Sequence, residues 1–137
     1  MDLIGHFQDA RNFITVQAGD AIFREGDPGT VMYVLIDGLA EVTVADTLVE
    51  LATAGALIGE MALVDMSTRS ATVIARSDCR LIPVDAKQFD LLVRETPEFA
   101  RHVMGVIAER LRRMNERLRE AMGEISIRVE TRKVPLN

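Results

Sequence analysis

The stretch GEMALVDMSTRSATV, residues 59–73, begins with a glycine and an acid and ends with an arginine followed by small residues. Backbone N–H groups in a tight turn or at a helix start can converge on an anion, and small residues permit that approach. The part EMALV is compatible with one short helical turn. Two interpretations stay open: a strand–turn–strand with an ordinary Glu60–Arg69 ion pair, or a backbone cradle built around an anion.

The chain on either side of this stretch predicts short strands separated by glycines. Before it lie FITV, AIF, VMYVLI, AEVTVA and LVELA, which are rich in β-branched residues and have strand length. After it come ATVIAR and CRLIPV. Asp37-Gly38 stands between two of these runs and predicts a hairpin. Many short strands at close spacing, over about residues 10–84, indicate a mainly β barrel or jelly roll.

Beyond these strands the apolar residues follow helical spacing. Asp85 and Gln88 predict a capped helix, and Thr96-Pro97 predicts the start of a long one that ends near Gly123. The tail, 123–137, is either a short strand or a loose end. The long helix carries a heptad seam, which is formed by Met104, Ile107, Leu111, Met114, Leu118 and Ala121. This seam either packs on the chain's own strands or forms a homodimer through helix 97–122.

Composition excludes several classes of function. One cysteine and two histidines far apart predict no metal site and no catalytic constellation, so the chain is not expected to be an enzyme. The net charge is −5, and glutamates are interleaved with the arginines of 110–119, as in the i,i+4 pair Glu109–Arg113, so no DNA binding is expected. With neither a membrane-spanning run nor a signal-peptide layout, we expect a cytoplasmic protein without a membrane partner.

The stretch 59–73 resembles the phosphate-binding cassette of the cyclic-nucleotide-binding domain family, which includes cAMP receptor protein-like and protein kinase A regulatory-subunit-like members. The family pattern is Gly-Glu-apolar-Ala-Leu, a short loop, and Arg-small-Ala-Thr-apolar, and each part is present here. GDAIFREGDPGTVMYVLIDGLAEV, residues 19–42, is similar to the family's first β-roll turns. The resemblance implies a double-stranded, jelly-roll-like β-roll with a short N-terminal helix and C-terminal helices about 86–122. Some members of the family carry a helix-turn-helix domain after these helices, but only about 14 residues follow Gly123, so a stand-alone single domain, 1–137, without a DNA-binding domain is expected.

The resemblance also implies roles for the residues of the cassette. Glu60 accepts a hydrogen bond from the ribose 2′-OH, Arg69 pairs with the exocyclic phosphate oxygens, and Ser70 contacts the phosphate or a syn purine. The ligand-binding set implied in this way is Gly59, Glu60, Met61, Ala62, Arg69, Ser70 and Ala71. The family often has proline before the arginine, where this chain has Thr68, and the change is expected to loosen the loop and weaken binding.

The long helix supplies the candidates for a lid over the base. Arg110, Arg113 and Asn115 are its polar groups best able to reach a purine. We therefore expect a small signalling module that binds a cyclic nucleotide, cAMP in preference to cGMP, and needs no other cofactor. It would relay binding through the C-terminal helices to an unknown downstream protein. The alternative is a degenerate member of the family that serves as a dimerisation or docking module without ligand.

Overall fold

The computed structural model describes residues 1–7 and 12–132, and it describes side chains for these except His6 and 124–132. In chain order the elements are α1 (Leu3–Phe7), β1 (Ile14–Val16), β2 (Ala21–Phe23), β3 (Val31–Asp37), β4 (Ala40–Val44), β5 (Thr47–Ala52), β6 (Leu57–Ile58), α2 (Glu60–Asp65), β7 (Thr72–Ala75), β8 (Cys79–Asp85), α3 (Ala86–Glu95) and α4 (Pro97–Arg132). The seven predicted strands are present, and β6 is an additional strand that the sequence did not predict. The predicted start of the roll near residue 10 lies outside the described residues.

The strands form two four-stranded antiparallel sheets, with the orders β1-β8-β3-β6 and β2-β7-β4-β5. This arrangement, with its flanking helices, confirms the predicted mainly β fold. The core between the sheets includes Leu35, Ala40, Ala52, Ile58, Val73, Ala75, Cys79 and Leu81. Cys79 is a small core residue, and its thiol lies 3.4 Å from the Leu39 carbonyl oxygen and 3.3 Å from that of Ser77. Burial raises the pKa of this thiol.

The predicted hairpin at Asp37-Gly38 is wrong. β3 pairs with β6 and β8, whereas β4 pairs with β5 and β7, so the chain turns a corner there and changes sheet. An Asp-Gly pair indicates a local turn, but long-range strand pairing decides whether that turn closes a hairpin. The hairpin in this region joins β4 to β5 through Ala45 and Asp46, which have φ values of 48° and 65°.

The start of α3 confirms the predicted capping box. The Asp85 carboxylate accepts a hydrogen bond from the Gln88 N–H at 2.8 Å, and the Gln88 side chain accepts one from the Asp85 N–H at 2.9 Å. Each bond satisfies a backbone donor that the first helical turn leaves without an intrahelical partner. Phe89 of α3 then meets the buried Phe99 edge to face, with ring centroids 5.7 Å apart.

The chain divides into two compact units, Met1–Arg101 and His102–Asn137, and the single domain over 1–137 stays a prediction. The long helix begins at Pro97 as predicted but continues to Arg132, so a strand or loose end is wrong for residues 123–132. One glycine inside a helical pattern costs only about 1 kcal/mol, so Gly123 does not stop the helix. Residues 133–137 of the predicted tail lie outside the described residues.

Within the second unit, the predicted i,i+4 pair is confirmed, because Arg113 Nε lies 3.9 Å from Glu109 Oε1. The same glutamate lies 3.4 Å from Arg112 Nη1. Four of the seam side chains are more than half exposed: Met104 at 60%, Leu111 at 59%, Met114 at 53% and Leu118 at 57%. The arginine cluster thus contains ion pairs with its own glutamates, while the seam presents apolar surface.

Candidate functional site

A glycine in the left-handed region begins the candidate site. β6 leads into Gly59, whose φ is 76°, and α2 follows at once. A Cβ on Gly59 would collide with the Arg69 guanidinium and would lie 3.1 Å from Cε2 of Phe23. Glycine is therefore required here both by its backbone conformation and by the close approach of these side chains. Since a helix follows, the interpretation as a simple strand–turn–strand is wrong.

The loop between β2 and β3 fixes the backbone of Arg69. The Arg69 N–H donates to the Asp27 carbonyl at 2.8 Å, and the Gly26 N–H donates to the Arg69 carbonyl at 2.8 Å. Close by, the Glu25 N–H donates to the Thr72 hydroxyl at 2.9 Å. These bonds continue the pairing of β2 with β7 into the loops. They place the arginine by backbone contacts to a segment more than forty residues earlier.

The Arg69 side chain lies inside the fold and is only 6% exposed. Its Nη1 donates to the Gly59 carbonyl at 3.3 Å, and its Cζ lies 4.2 Å from the centroid of the Phe23 ring and 5.9 Å from that of Tyr33. A Cβ on Gly29 would stand 2.8 Å from Arg69 Nε, so glycine is needed there as well. Among the described residues, Nε is a buried side-chain donor without a hydrogen-bond partner.

Electrostatics single out the same two residues as the motif. Among the side chains that the structure describes, Glu60 and Arg69 are the charged ones that are buried, at 2% and 6% exposure. Desolvation lowers the pKa of Arg69, while Tyr33 and Asp27 act in the opposite direction. The guanidinium keeps its charge at neutral pH, because arginine is not deprotonated in proteins. A bound anion would stabilise this buried cation, because it supplies an opposite charge and an acceptor for the unpaired Nε–H donor.

The other predicted ligand residues differ in exposure. Ala62 is buried, Met61 is 42% exposed, Ala71 is half-buried, and Ser70 and Thr68 are exposed. The structure thus brings Gly59 against the buried Arg69, and the Cβ of Ala62 would lie 2.9 Å from a Cβ on Gly29. The candidate lid residues lie on α4 in the second compact unit: Arg110 is half-buried, and Arg113 and Asn115 are exposed. The lid stays a prediction.

Three residues around Arg69 were missed from the sequence: Phe23, Gly29 and Tyr33. Gly29 belongs to the REGDPGT turn, so the resemblance of 19–42 to the family was a usable signal. The two rings carry no local motif. Phe23 pairs with Val73 in β7, and Tyr33 pairs with Ile58 in β6, so only strand pairing reveals that they reach the arginine.

Comparison with known proteins identifies the family. The model of the cyclic nucleotide-binding domain family matches residues 13–96, which is more than half of the chain. The chain belongs to this family. Among relatives of this cyclic-nucleotide-binding domain is a cyclic nucleotide-gated potassium channel of Rhizobium etli, 38% identical over 95 residues, which are 69% of this chain and 26% of the channel.

Solved structures share the fold of this cyclic-nucleotide-binding domain. The catabolite activator protein of Thermus thermophilus aligns with a TM-score of 0.72 and 28% identity, over 80% of this chain and 54% of that one. The cAMP-bound structure of PfPKA-R aligns with a TM-score of 0.64 and 28% identity, over 76% of this chain and 36% of that one. The domain therefore spans about a quarter to a half of the length of these relatives. In the described part of the chain, no helix is long and apolar enough to cross a membrane.

Proposed function

We propose that this cyclic-nucleotide-binding domain binds a cyclic nucleotide through residues 59–73, with cAMP preferred to cGMP. One observation carries the proposal: Arg69 is buried with its charge, and its Nε has no hydrogen-bond partner among the described residues. A cyclic phosphate supplies both a counter-charge and acceptor oxygens. The preference for cAMP is supported by the likeness to PfPKA-R, a structure that is cAMP-bound.

The two buried charges have opposite tasks in this proposal. A carboxylate repels a phosphate but accepts hydrogen bonds from a sugar hydroxyl, so Glu60 binds the ribose 2′-OH. The Arg69 guanidinium forms charge-assisted hydrogen bonds to the exocyclic phosphate oxygens. Small residues on either side, with Gly59 and Ala62 at the start of α2, let backbone amides approach the anion. The site is regulatory in this proposal, and no catalytic group is assigned.

Binding is proposed to act on the helices that follow the roll. A ligand shifts a conformational equilibrium only by its different affinity for the two states. In this proposal, capture of the phosphate by the cassette biases α3 and α4 towards one arrangement, and a downstream protein recognises that arrangement. Arg110, Arg113 and Asn115 are proposed to cover the base in the bound state.

Competitive calorimetry with cAMP and cGMP tests the proposal, because it shows both whether the site binds and which base it prefers. A thermal melt gives an independent measure, since a ligand at a hundredfold excess over Kd stabilises the folded state by about 2.7 kcal/mol. Binding of cAMP tighter than cGMP, with a matching rise in Tm, is the expected result. If calorimetry measures no heat of binding and the Tm does not rise at millimolar nucleotide, the result would favour the alternative, a degenerate domain that serves as a docking module without ligand.

A homodimer through α4 is the second proposal, and the exposure of the seam favours it. Met104, Leu111, Met114 and Leu118 repeat at heptad spacing and are each more than half exposed. In a coiled coil, a seam of this kind is buried between two helices. The e positions Ala108, Asn115 and Met122 carry no charge, so hydrophobic contact rather than charge pairing would drive the association.

A further inference from the structure

The ring of Phe23 faces the Arg69 guanidinium, although Phe23 lies outside the cassette. The distance from Arg69 Cζ to the ring centroid is 4.2 Å, well inside the limit of about 6 Å for a cation–π contact. A second ring supports the first, because Tyr33 stacks on Phe23 with centroids 6.4 Å apart and planes 24° from parallel. The guanidinium thus lies over an aromatic wall, which we define as Phe23 and Tyr33.

The strand pairing that holds the arginine backbone also fixes this wall. Phe23 pairs with Val73, and a few residues further along the same two segments the Gly26 N–H donates to the Arg69 carbonyl. Both rings pack against the hydrophobic core while remaining partly exposed themselves. Packing of this kind removes rotamer freedom, so the wall presents a rigid face to a long and otherwise flexible side chain.

We infer that Phe23 is a positioning residue: its ring holds the Arg69 side chain in its buried conformation before any nucleotide arrives. Arginine loses rotamer freedom when it is immobilised on an anion, and a side chain that is already held loses less. The consequence for affinity rests on the proposed function. The consequence for the nucleotide-free chain does not, because the contact of ring and guanidinium exists without ligand.

The test uses the full chain with three variants. Phe23→Leu removes the ring but keeps an apolar side chain, and Phe23→Tyr restores a ring. Phe13→Leu is the matched control, since Phe13 makes a similar contact elsewhere, with Arg80 Cζ 4.7 Å from its ring centroid. The first measurement is the rate at which the Arg69 side-chain Hε exchanges with solvent in the absence of nucleotide, with its NMR resonance assigned by its loss in Arg69→Lys. The second is the affinity for cAMP by calorimetry.

In the wild-type chain, the Arg69 Hε is expected to exchange with solvent more slowly than that of exposed arginines, because Arg69 Nε is buried. Phe23→Leu raises this exchange rate towards that of exposed arginines, while Phe23→Tyr and Phe13→Leu leave it slow. In parallel, Phe23→Leu weakens cAMP binding about five- to thirtyfold, the range that a cation–π contact of about 1–2 kcal/mol supplies. Phe23→Tyr restores most of the affinity, and Phe13→Leu keeps all of it.

Two results overturn the inference: an Arg69 Hε exchange rate that Phe23→Leu does not change, or a faster exchange with unchanged cAMP affinity. If Phe23→Leu does not fold, the wild-type chain still decides, because an Hε that exchanges as fast as that of exposed arginines overturns the inference and a protected one supports it. If no cyclic nucleotide binds the wild-type chain, the proposed function fails. The Hε exchange rate then decides by itself whether Phe23 holds Arg69.

Discussion

At the scale of single residues, the site is defined by charges that the fold keeps away from water. Burial of an unpaired charge is costly, so a stable fold retains one where a ligand or a specific neighbour compensates. Arg69 has compensation from the Gly59 carbonyl and from the face of Phe23. Neither is an anion. Arg69 is therefore positioned to bind an anion, so we expect its removal to weaken ligand binding more than it destabilises the fold.

Arg69→Ala is predicted to weaken cAMP binding roughly ten- to a hundredfold, because a hydrogen bond to a charged group contributes about 1.5–3 kcal/mol. Calorimetry measures the change. Arg76→Ala is the control, since Arg76 is an exposed arginine a few residues later, paired with Glu41 at 3.3 Å, and exposed pairs of this kind contribute little. Equal cAMP affinities for wild type and Arg69→Ala would show that Arg69 does not bind the phosphate.

At the scale of elements, the sequence patterns correctly predicted the features that contacts between nearby residues determine. The capping box at Asp85 and the proline start of α4 are short-range features, and both are present as predicted. The corner at Asp37-Gly38 was wrongly predicted as a hairpin, because the choice between the two depends on β8, more than forty residues later in the chain. The hairpin at Ala45 and Asp46 was missed, since alanine rarely takes positive φ and Ala-Asp is not a pair that indicates a hairpin turn.

This hairpin gives a stability prediction. Both turn residues have positive φ, and in that region a residue such as Ala45 has a cost of roughly 1–2 kcal/mol, which glycine avoids and asparagine reduces. Ala45→Asn combined with Asp46→Gly is predicted to raise the free energy of unfolding by about 0.5–1.5 kcal/mol, measured by urea denaturation. Asp37→Asn creates the same Asn-Gly pair at the corner and is expected to add nothing. A double variant no more stable than wild type would contradict this account.

At the scale of the whole molecule, the candidate site is assembled from segments that are distant in sequence. The cassette itself could be predicted, because its glycine, acid, arginine and small residues lie within one stretch of the chain. The aromatic wall and Gly29 reach Arg69 only through strand pairing and loop contacts. Pairing partners are not encoded in any single window of sequence, and this is why Phe23, Gly29 and Tyr33 were missed.

The exposed seam of α4 bears on the number of chains in the assembly. Each leucine that a dimer buries contributes about 1.5–3 kcal/mol, and each seam position is buried twice in a symmetric pair. Leu111 and Leu118 are 59% and 57% exposed, so more than half of their surface is available for burial in a dimer. A charge at these positions removes this gain and adds a desolvation cost.

Sedimentation equilibrium is therefore predicted to find a dimer for the wild-type chain and a monomer for Leu111→Glu combined with Leu118→Glu. The dimer dissociation constant should rise at least about a hundredfold, because each chain of the dimer loses two buried leucines. Arg119→Glu, which lies off the seam, adds negative charge to the same helix and should leave the dimer intact. Circular dichroism checks that helix content persists. A monomeric wild type would contradict the proposed homodimer.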